Sequence, residues 1–127
     1  MAASAMEVGK KLVGLCKEGK SMEAIESLYS PNIVSVEAMS GPQMPQRMEG
    51  FAAIKGKNEW WYKNHTVHSG HVEGPWPHGD RFIVRFTYDV TANAGPMAGK
   101  RMKMDETALY TVKDGKITQE EFFYHMG

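Results

Sequence analysis

The residues from Arg81 to Val90 (RFIVRFTYDV) alternate between apolar and polar side chains, and this pattern constrains the fold more than any other feature of the sequence. A period of two residues is typical of a β-strand that buries one face and exposes the other. The apolar side of this strand comprises Phe82, Val84, Phe86, Tyr88 and Val90. The sequence therefore predicts a sheet that is packed against other elements on one side.

The segments around this strand predict an antiparallel meander. Residues 66–74 are expected to form its first strand, which precedes a turn at residues 74–80. Residues 100–112 form a third strand, and Asp114-Gly115 is a tight hairpin signal before a closing strand over residues 117–125. One face of the third strand carries Met102, Met104, Glu106, Ala108, Tyr110 and Val112.

The first half of the chain is predicted to be mainly helical. Ser4 and Glu7 have the spacing of a capping box, which begins the first helix. A second helix is expected to end at Pro31, before a short strand over residues 33–38 and a third helix over residues 51–63. Three helices, an early strand and a later meander predict an α+β fold in which the helices pack on one face of a curved sheet.

Length and charge limit the classes of function. The 127 residues fit one domain, residues 1–127. Lysine plus arginine and aspartate plus glutamate each number 15, a balance that argues against nucleic acids and anionic membrane surfaces as partners. No apolar run approaches the roughly 20 residues that span a bilayer, and the charged N-terminal stretch does not resemble a signal peptide. Cys16 is the only cysteine, so we expect a buried thiol and a cytoplasmic location.

Four histidines lie close together in the sequence, but their spacing does not predict a metal site. They are His65, His68, His71 and His78. In an extended strand, His65 and His71 are about 20 Å apart and His68 points to the opposite face. The sequence also has no glycine-rich phosphate loop. We therefore expect neither a metal nor a cofactor.

Two glutamates occupy apolar strands and are the candidate catalytic residues. Glu37 follows the β-branched run of the early strand, and Glu106 lies on the apolar face of the third meander strand. A buried carboxyl group has a raised pKa, which suits general acid–base chemistry near neutral pH. The alternative is that each glutamate lies at a strand end and forms a salt bridge with Arg47, Arg85 or Arg101.

Three stretches of the sequence resemble one known group of proteins. Residues 18–41 are similar to its helix-helix-strand opening, and residues 48–61 to the Gly-x-x-x-Ile start of its third helix. Residues 108–126 are similar to its final hairpin, with an Asp-Gly-Lys-Ile turn. In this order they resemble the nuclear transport factor 2-like superfamily, and within it the SnoaL-like and ketosteroid isomerase-like proteins.

This resemblance implies a cone-shaped barrel, in which a strongly curved, mixed but mostly antiparallel sheet and three helices enclose an apolar pocket. In the isomerases a carboxylate at the end of the first strand is the proton-shuttling base, and that position falls on Glu37. Tyr29 matches an aromatic residue that lines the pocket. Two positions depart from the isomerase pattern: a helix-one tyrosine donor falls at Leu12, and a second carboxylate falls at Ala108, two residues after Glu106.

We therefore predict a small-molecule-binding protein, with an isomerase, cyclase or lyase reaction on an apolar carbonyl-bearing or polycyclic substrate. Glu37 and Glu106 would be catalytic. The residues expected to bind the substrate are Tyr29, Asn58, Trp61, Tyr88, Tyr110, Phe122 and Tyr124. The alternatives are a non-catalytic ligand-binding or dimerisation module and, third, a transport adaptor.

The outer face of the sheet is predicted to form a homodimer. It is expected to carry Arg85, Thr87, Asp89, Glu121 and Phe123, which mix charge with an aromatic side chain as protein interfaces do.

Overall fold

The computed structural model describes residues 3–40 and 45–124, which form three helices and six strands. No helix within these ranges is long and apolar enough to cross a membrane. In chain order the elements are α1 (Ala5–Lys17), α2 (Ser21–Leu28), β1 (Tyr29–Val36), β2 (Arg47–Glu49), α3 (Phe51–Lys63), β3 (His65–His78), β4 (Arg81–Ala92), β5 (Arg101–Lys113) and β6 (Lys116–Phe123).

The six strands form one mixed sheet in the order β2-β1-β6-β5-β4-β3. Strands β1 and β6 are parallel, whereas every other neighbouring pair is antiparallel. The first and last strands of this order are not hydrogen-bonded to each other, so the sheet stays open and does not close into a barrel. The predicted α+β fold with a mostly antiparallel sheet is confirmed.

Strand β4 has the predicted two-faced character. Phe82, Val84 and Val90 are almost fully buried, whereas Arg81, Ile83 and Arg85 are exposed. Burial of the apolar face against the helices supplies the main driving force for this arrangement. The inner face therefore forms the floor of the hydrophobic core, on which α1 packs.

Helix α1 begins as the sequence predicts. The Ser4 hydroxyl accepts a hydrogen bond from the Glu7 amide, and the Glu7 carboxylate accepts one from the Ser4 amide. This capping box satisfies two amides that have no partner inside the helix. Val8 and Leu12 form the buried face of the helix.

The second helix ends earlier than predicted. Helix α2 stops at Leu28, and Pro31 lies inside β1 rather than at the helix end. Tyr29 is buried and pairs with Ile117 of β6, so tertiary pairing extends the strand at the expense of the helix. Glu37 consequently follows directly after β1.

The meander strands also differ in length from the prediction. Strand β3 runs to His78, through the segment expected to be a turn, because Trp76 and Pro77 pair with β4. Prolines are tolerated here since β3 is an edge strand with a register shift before Trp76. Strand β6 ends at Phe123, and His125 lies outside the described residues.

Candidate functional site

A cavity of about 670 Å³ lies between the helices and the inner face of the sheet. All nine residues that the sequence predicts for the site line this cavity: Tyr29, Glu37, Asn58, Trp61, Tyr88, Glu106, Tyr110, Phe122 and Tyr124. The structure therefore brings together residues from α3, from the end of β1 and from β4, β5 and β6.

One wall of the cavity is aromatic. The Trp61 and Tyr88 rings are 5.7 Å apart between centroids, and Tyr88 stacks on Phe86 at 6.0 Å. Behind Trp61, the His65 ring stacks at 4.5 Å, and its Nδ1 lies 2.8 Å from the Trp61 carbonyl oxygen. These contacts fix the orientation of the indole ring, so the wall is a preformed surface for a flat apolar ligand.

Glu37 is paired with a lysine that the sequence analysis did not single out. The Lys57 ammonium donates hydrogen bonds to Glu37 Oε1 at 2.7 Å and to Ser35 Oγ at 2.6 Å. Both side chains of the ion pair are largely buried. A hydrogen bond to Glu37 also contributes to raising the pKa of the Tyr124 hydroxyl to about 12, after burial and the charge of Glu37.

The alternative in which arginines pair with the two candidate glutamates is wrong. Arg47 pairs with Glu49, Arg85 with Asp105 at 2.6 Å, and Arg101 with Asp89 at 2.9 Å. These three ion pairs lie at exposed positions. The arginines are therefore engaged away from the cavity.

A third glutamate, Glu120 on β6, is buried at the deep side of the cavity. Its carboxylate accepts a hydrogen bond from the Tyr29 hydroxyl and another from Ser35 Oγ at 2.9 Å. Burial raises the pKa of Glu120, while the Lys57 charge and these two hydrogen bonds oppose the rise. Ser35 thus connects the Glu120 carboxylate to the Lys57–Glu37 pair in one continuous polar network.

Glu106 has a different environment from the other two glutamates. Burial, followed by the negative charge of Glu37, raises the pKa of Glu106 to about 7, although Lys57 opposes this shift. Among the described residues, no side chain forms an ion pair or a hydrogen bond with its carboxyl group. Glu106 therefore presents to the cavity a carboxyl group whose pKa lies close to neutral pH.

Lys57, Ser35 and Glu120 were not predicted from the sequence, although each lies at a position with a periodic signal. Lys57 follows the buried Ile54 by one helical turn, and Ser35 lies two residues before Glu37 on the same strand face. Glu120 lies two residues before Phe122, so alternation places both on the cavity side. Apolar residues at these three positions would have been predicted to be buried from their spacing. Polar residues are usually exposed, so the same spacing did not indicate burial.

One thiol and three tyrosine hydroxyls that line the cavity are neutral near pH 7. Burial raises the pKa of the Cys16 thiol to about 11 and those of the Tyr29, Tyr88 and Tyr110 hydroxyls above their usual value. Cys16 is partly buried beside this cavity. A thiol with such a pKa is a poor nucleophile, which fits the expected packing role.

The four clustered histidines all lie on β3, which runs from His65 to His78. His68 Nε2 lies 2.7 Å from Thr91 Oγ1, and His71 lies 3.6 Å from Glu73. Within residues 3–40 and 45–124, no group of three or more histidine, cysteine or acidic side chains is arranged to hold a metal ion.

Comparison with known proteins places the chain in one family. The profile of the SnoaL-like domain matches residues 3–124. A crystal structure from Mesorhizobium loti is provisionally described both as a SnoaL-like polyketide cyclase and as a carbohydrate phosphatase. It is 44% identical with a TM-score of 0.88, over 96% of this chain and 100% of that chain. A search of curated proteins found no match.

More distant structures share the fold. A provisionally described polyketide cyclase from Pseudomonas putida is 17% identical with a TM-score of 0.71, over 98% of this chain and 94% of that chain. A protein with a ketosteroid isomerase-like fold from Catenulispora acidiphila, solved with trimethylamine, is 15% identical with a TM-score of 0.69, over 97% and 88% of the two chains. The chain therefore belongs to the SnoaL-like domain family of the nuclear transport factor 2-like superfamily.

Proposed function

We propose that this protein binds an apolar, carbonyl-bearing molecule in the cavity and catalyses its isomerisation or cyclisation by general acid–base chemistry. Glu37 is the proposed base, and Glu106 is the proposed acid. The aromatic residues and Asn58 position the substrate. Because neither reaction oxidises or reduces the substrate overall, it requires no redox cofactor.

The observation that carries this proposal is the contrast between two carboxyl groups in one cavity. Glu37 accepts a hydrogen bond from the Lys57 ammonium at 2.7 Å, whereas Glu106 has no partner among the described residues and a pKa of about 7. Two titratable groups whose environments differ in this way are suited to opposite roles in proton transfer. Two glutamates with purely structural roles would not need one carboxyl group to have a partner and the other to have none.

The proposed reaction begins with the transfer of a proton from the substrate to Glu37 and ends with the return of that proton. Glu37 takes a proton from the carbon next to the substrate carbonyl. The C–H electron pair forms the C=C bond of an enolate, and the π pair of the carbonyl moves to its oxygen. The protonated Glu106 donates a hydrogen bond to that oxygen and stabilises its negative charge. Glu37 then returns the proton to another carbon of the enolate, which gives the isomer. In the cyclisation, the enolate carbon attacks a second carbonyl of the same molecule, and the alkoxide formed there takes the proton from Glu37.

The Mesorhizobium loti relative supports a reaction of this class, since one of its provisional descriptions is a polyketide cyclase and the two chains are 44% identical. Polyketides are rich in carbonyl groups whose neighbouring carbons lose protons readily. The cavity volume of about 670 Å³ also suits a ligand of several fused rings.

A substrate panel of cyclic enones and aromatic polyketones tests the proposal. Glu37→Gln should lower kcat by a factor of about 10² to 10⁴, which is the usual contribution of a general base. For the unchanged protein, kcat/KM should fall as the pH rises above about 7, because Glu106 then loses its proton. Glu23→Gln, a change at an exposed position of α2, is the matched control and should retain full activity.

The second candidate is a non-catalytic module that binds a ligand or forms a dimer. The ion pair between Lys57 and Glu37 favours it, because Lys57 occupies an oxygen of the carboxylate that would act as the base. In that case the panel would show binding with equal affinity for the wild type and Glu37→Gln, and no turnover of any member. Such a result would contradict the catalytic proposal.

Three further properties are part of the proposal. Residues 1–127 form one domain, since the elements of both halves contribute to one sheet. The protein forms a homodimer through the outer face of the sheet. A cytoplasmic location fits the single cysteine of the sequence.

A further inference from the structure

The cavity contains more acidic than basic groups. Among the described residues that line it, three carry carboxyl groups, Glu37, Glu106 and Glu120, and only Lys57 carries an amine. Lys57 is already paired with Glu37, and Glu120 is satisfied by Tyr29 and Ser35. The excess acidic group is therefore Glu106, which has no protein partner in the described part of the chain.

The position of Glu106 in the sheet leaves its carboxyl group beside aromatic surfaces. Phe86 lies directly opposite it on β4, and Met104, two residues earlier on β5, lies opposite Tyr88. Tyr88 in turn contacts Trp61 within the aromatic wall of the cavity. An unpartnered carboxyl group next to aromatic ring faces is the combination that attracts an organic cation, because both the charge and the π-electrons favour it.

The surrounding groups make the cavity unfavourable for additional negative charge. Each cavity-lining group with a resolved shift is an acid whose pKa is raised, and burial is the largest cause in every case. The charged and titratable groups that line the cavity with Glu106 come from α1, α3 and four strands or their ends: Cys16, Tyr29, Glu37, Lys57, Tyr62, Tyr88, Tyr110, Glu120 and Tyr124. An anionic ligand would likewise lose its hydration on entering the cavity, which costs free energy.

We propose that the cavity also binds organic cations, specifically protonated amines with an aromatic or bulky apolar body. The ammonium group lies against Glu106, and the apolar body packs on Trp61 and Tyr88. Such a ligand holds Glu106 as a carboxylate, so it inhibits the acid–base reaction proposed above. The inference concerns binding alone and does not depend on turnover.

The pH dependence of binding distinguishes this interaction from ordinary apolar binding. The ammonium group prefers the ionised form of Glu106, whose pKa is about 7 in the free protein. The ionised fraction rises from about one tenth at pH 6 to about nine tenths at pH 8, so the affinity for an amine should rise about tenfold over this range. A neutral ligand of the same shape should show no such increase.

Isothermal titration calorimetry with three probes of one shape tests the proposal. The probes are 2-naphthylmethylamine, 2-naphthylmethanol and 2-naphthoate. At pH 8 the amine should bind at least tenfold more tightly than the alcohol, and the carboxylate should bind most weakly. Glu106→Gln should reduce the amine to the affinity of the alcohol and remove its pH dependence. Glu23→Gln, at an exposed position, should leave the affinity for the amine and its pH dependence unchanged.

A second variant keeps the test valid if Glu106→Gln alters the packing. Trp61→Leu retains an apolar side chain but removes a ring face, so it should weaken amine binding more than alcohol binding. The proposal is overturned if no probe binds, if the amine is no tighter than the alcohol at pH 8, or if the preference survives in Glu106→Gln. Equal binding of amine and alcohol would leave the acid–base proposal standing, because a neutral carbonyl compound could still bind.

Discussion

Glu106 and Glu120 line the same cavity, but their hydrogen-bonding environments differ. Glu120 accepts two hydrogen bonds, from Tyr29 and Ser35, whereas Glu106 has no partner among the described residues. A buried charge without a partner costs free energy, while a satisfied buried acceptor stabilises the donors around it. The two sites should therefore respond to substitution in opposite ways.

Glu106→Gln should stabilise the protein at high pH. The pKa of Glu106 is raised from 4.5 to about 7 in the folded state, so stability present below about pH 4.5 is lost as the pH rises through 7. A neutral glutamine does not incur this loss. The free energy of unfolding of Glu106→Gln should exceed that of the wild type by roughly 2–3 kcal/mol at pH 8. The two proteins should differ little at pH 4.5, as measured by urea denaturation, and a constant difference would contradict the assignment.

Tyr29→Phe should destabilise the protein because it removes a donor to the buried Glu120 carboxylate. The expected loss is about 1–3 kcal/mol in the free energy of unfolding. Tyr88→Phe is the matched control, since the Tyr88 hydroxyl makes no hydrogen bond within the described residues and also lines the cavity. Its change should stay within about 0.5 kcal/mol. Equal losses for both variants would show that the Tyr29–Glu120 bond contributes nothing.

Helix α1 is held close to the sheet at a glycine. A Cβ atom placed on Gly9 would lie 2.9 Å from Pro75 Cβ and 3.1 Å from Phe82 Cδ2. Gly14, one and a half turns further along the same helix, has nothing within 4 Å of such an atom. Close packing against the sheet therefore favours glycine at position 9 but not at position 14. The sequence pattern does not distinguish these two positions.

Alanine at these two glycines should have opposite effects. Gly9→Ala should lower the free energy of unfolding by about 1–3 kcal/mol, because the rigid Pro75 ring must shift. Gly14→Ala should raise it by up to about 1 kcal/mol, because alanine favours the helix and the site is open. Thermal unfolding of the two variants in parallel measures both effects. Stabilisation by Gly9→Ala would contradict the close approach of α1 to the sheet.

The outer face of the sheet carries a patch of exposed apolar side chains on neighbouring strands. Ile83 on β4 lies between Trp76 on β3 and Leu109 on β5, and Phe123 lies near the end of β6. Trp76 and Phe123 are each 50% exposed and Ile83 is 38% exposed. The charged residues expected at this face, Arg85 and Asp89, are paired within the chain, so the apolar patch is the stronger reason to expect a partner.

The mass in solution tests the homodimer. Wild-type protein at micromolar concentration should have the mass of two chains in analytical ultracentrifugation. Ile83→Lys should shift the mass to that of one chain, because an unpaired charge at the centre of an apolar interface is costly. Met6→Lys, at an exposed apolar position of α1, is the control and should remain dimeric. A wild-type mass of one chain would contradict the proposal.

The sequence by itself determined the elements whose periodicity is strong. The alternation over residues 81–90 defined β4 and its buried face, and the predicted third helix agrees with α3 at Phe51–Lys63. The alternation over residues 100–112 likewise placed Glu106 on the inner face of β5. These features are local, because a strand or helix with one apolar face has a single orientation that buries it.

Only the tertiary structure decided which groups meet inside the cavity. Ile117 and Glu120 are both buried although they are three residues apart, because a register shift opposite Thr111 interrupts the alternation of β6. Glu120 then reaches Ser35 across 85 positions of sequence through the parallel pairing of β1 with β6. Side-chain periodicity records which face is buried, whereas ion pairs and hydrogen bonds depend on strand register and helix docking, which the whole fold sets.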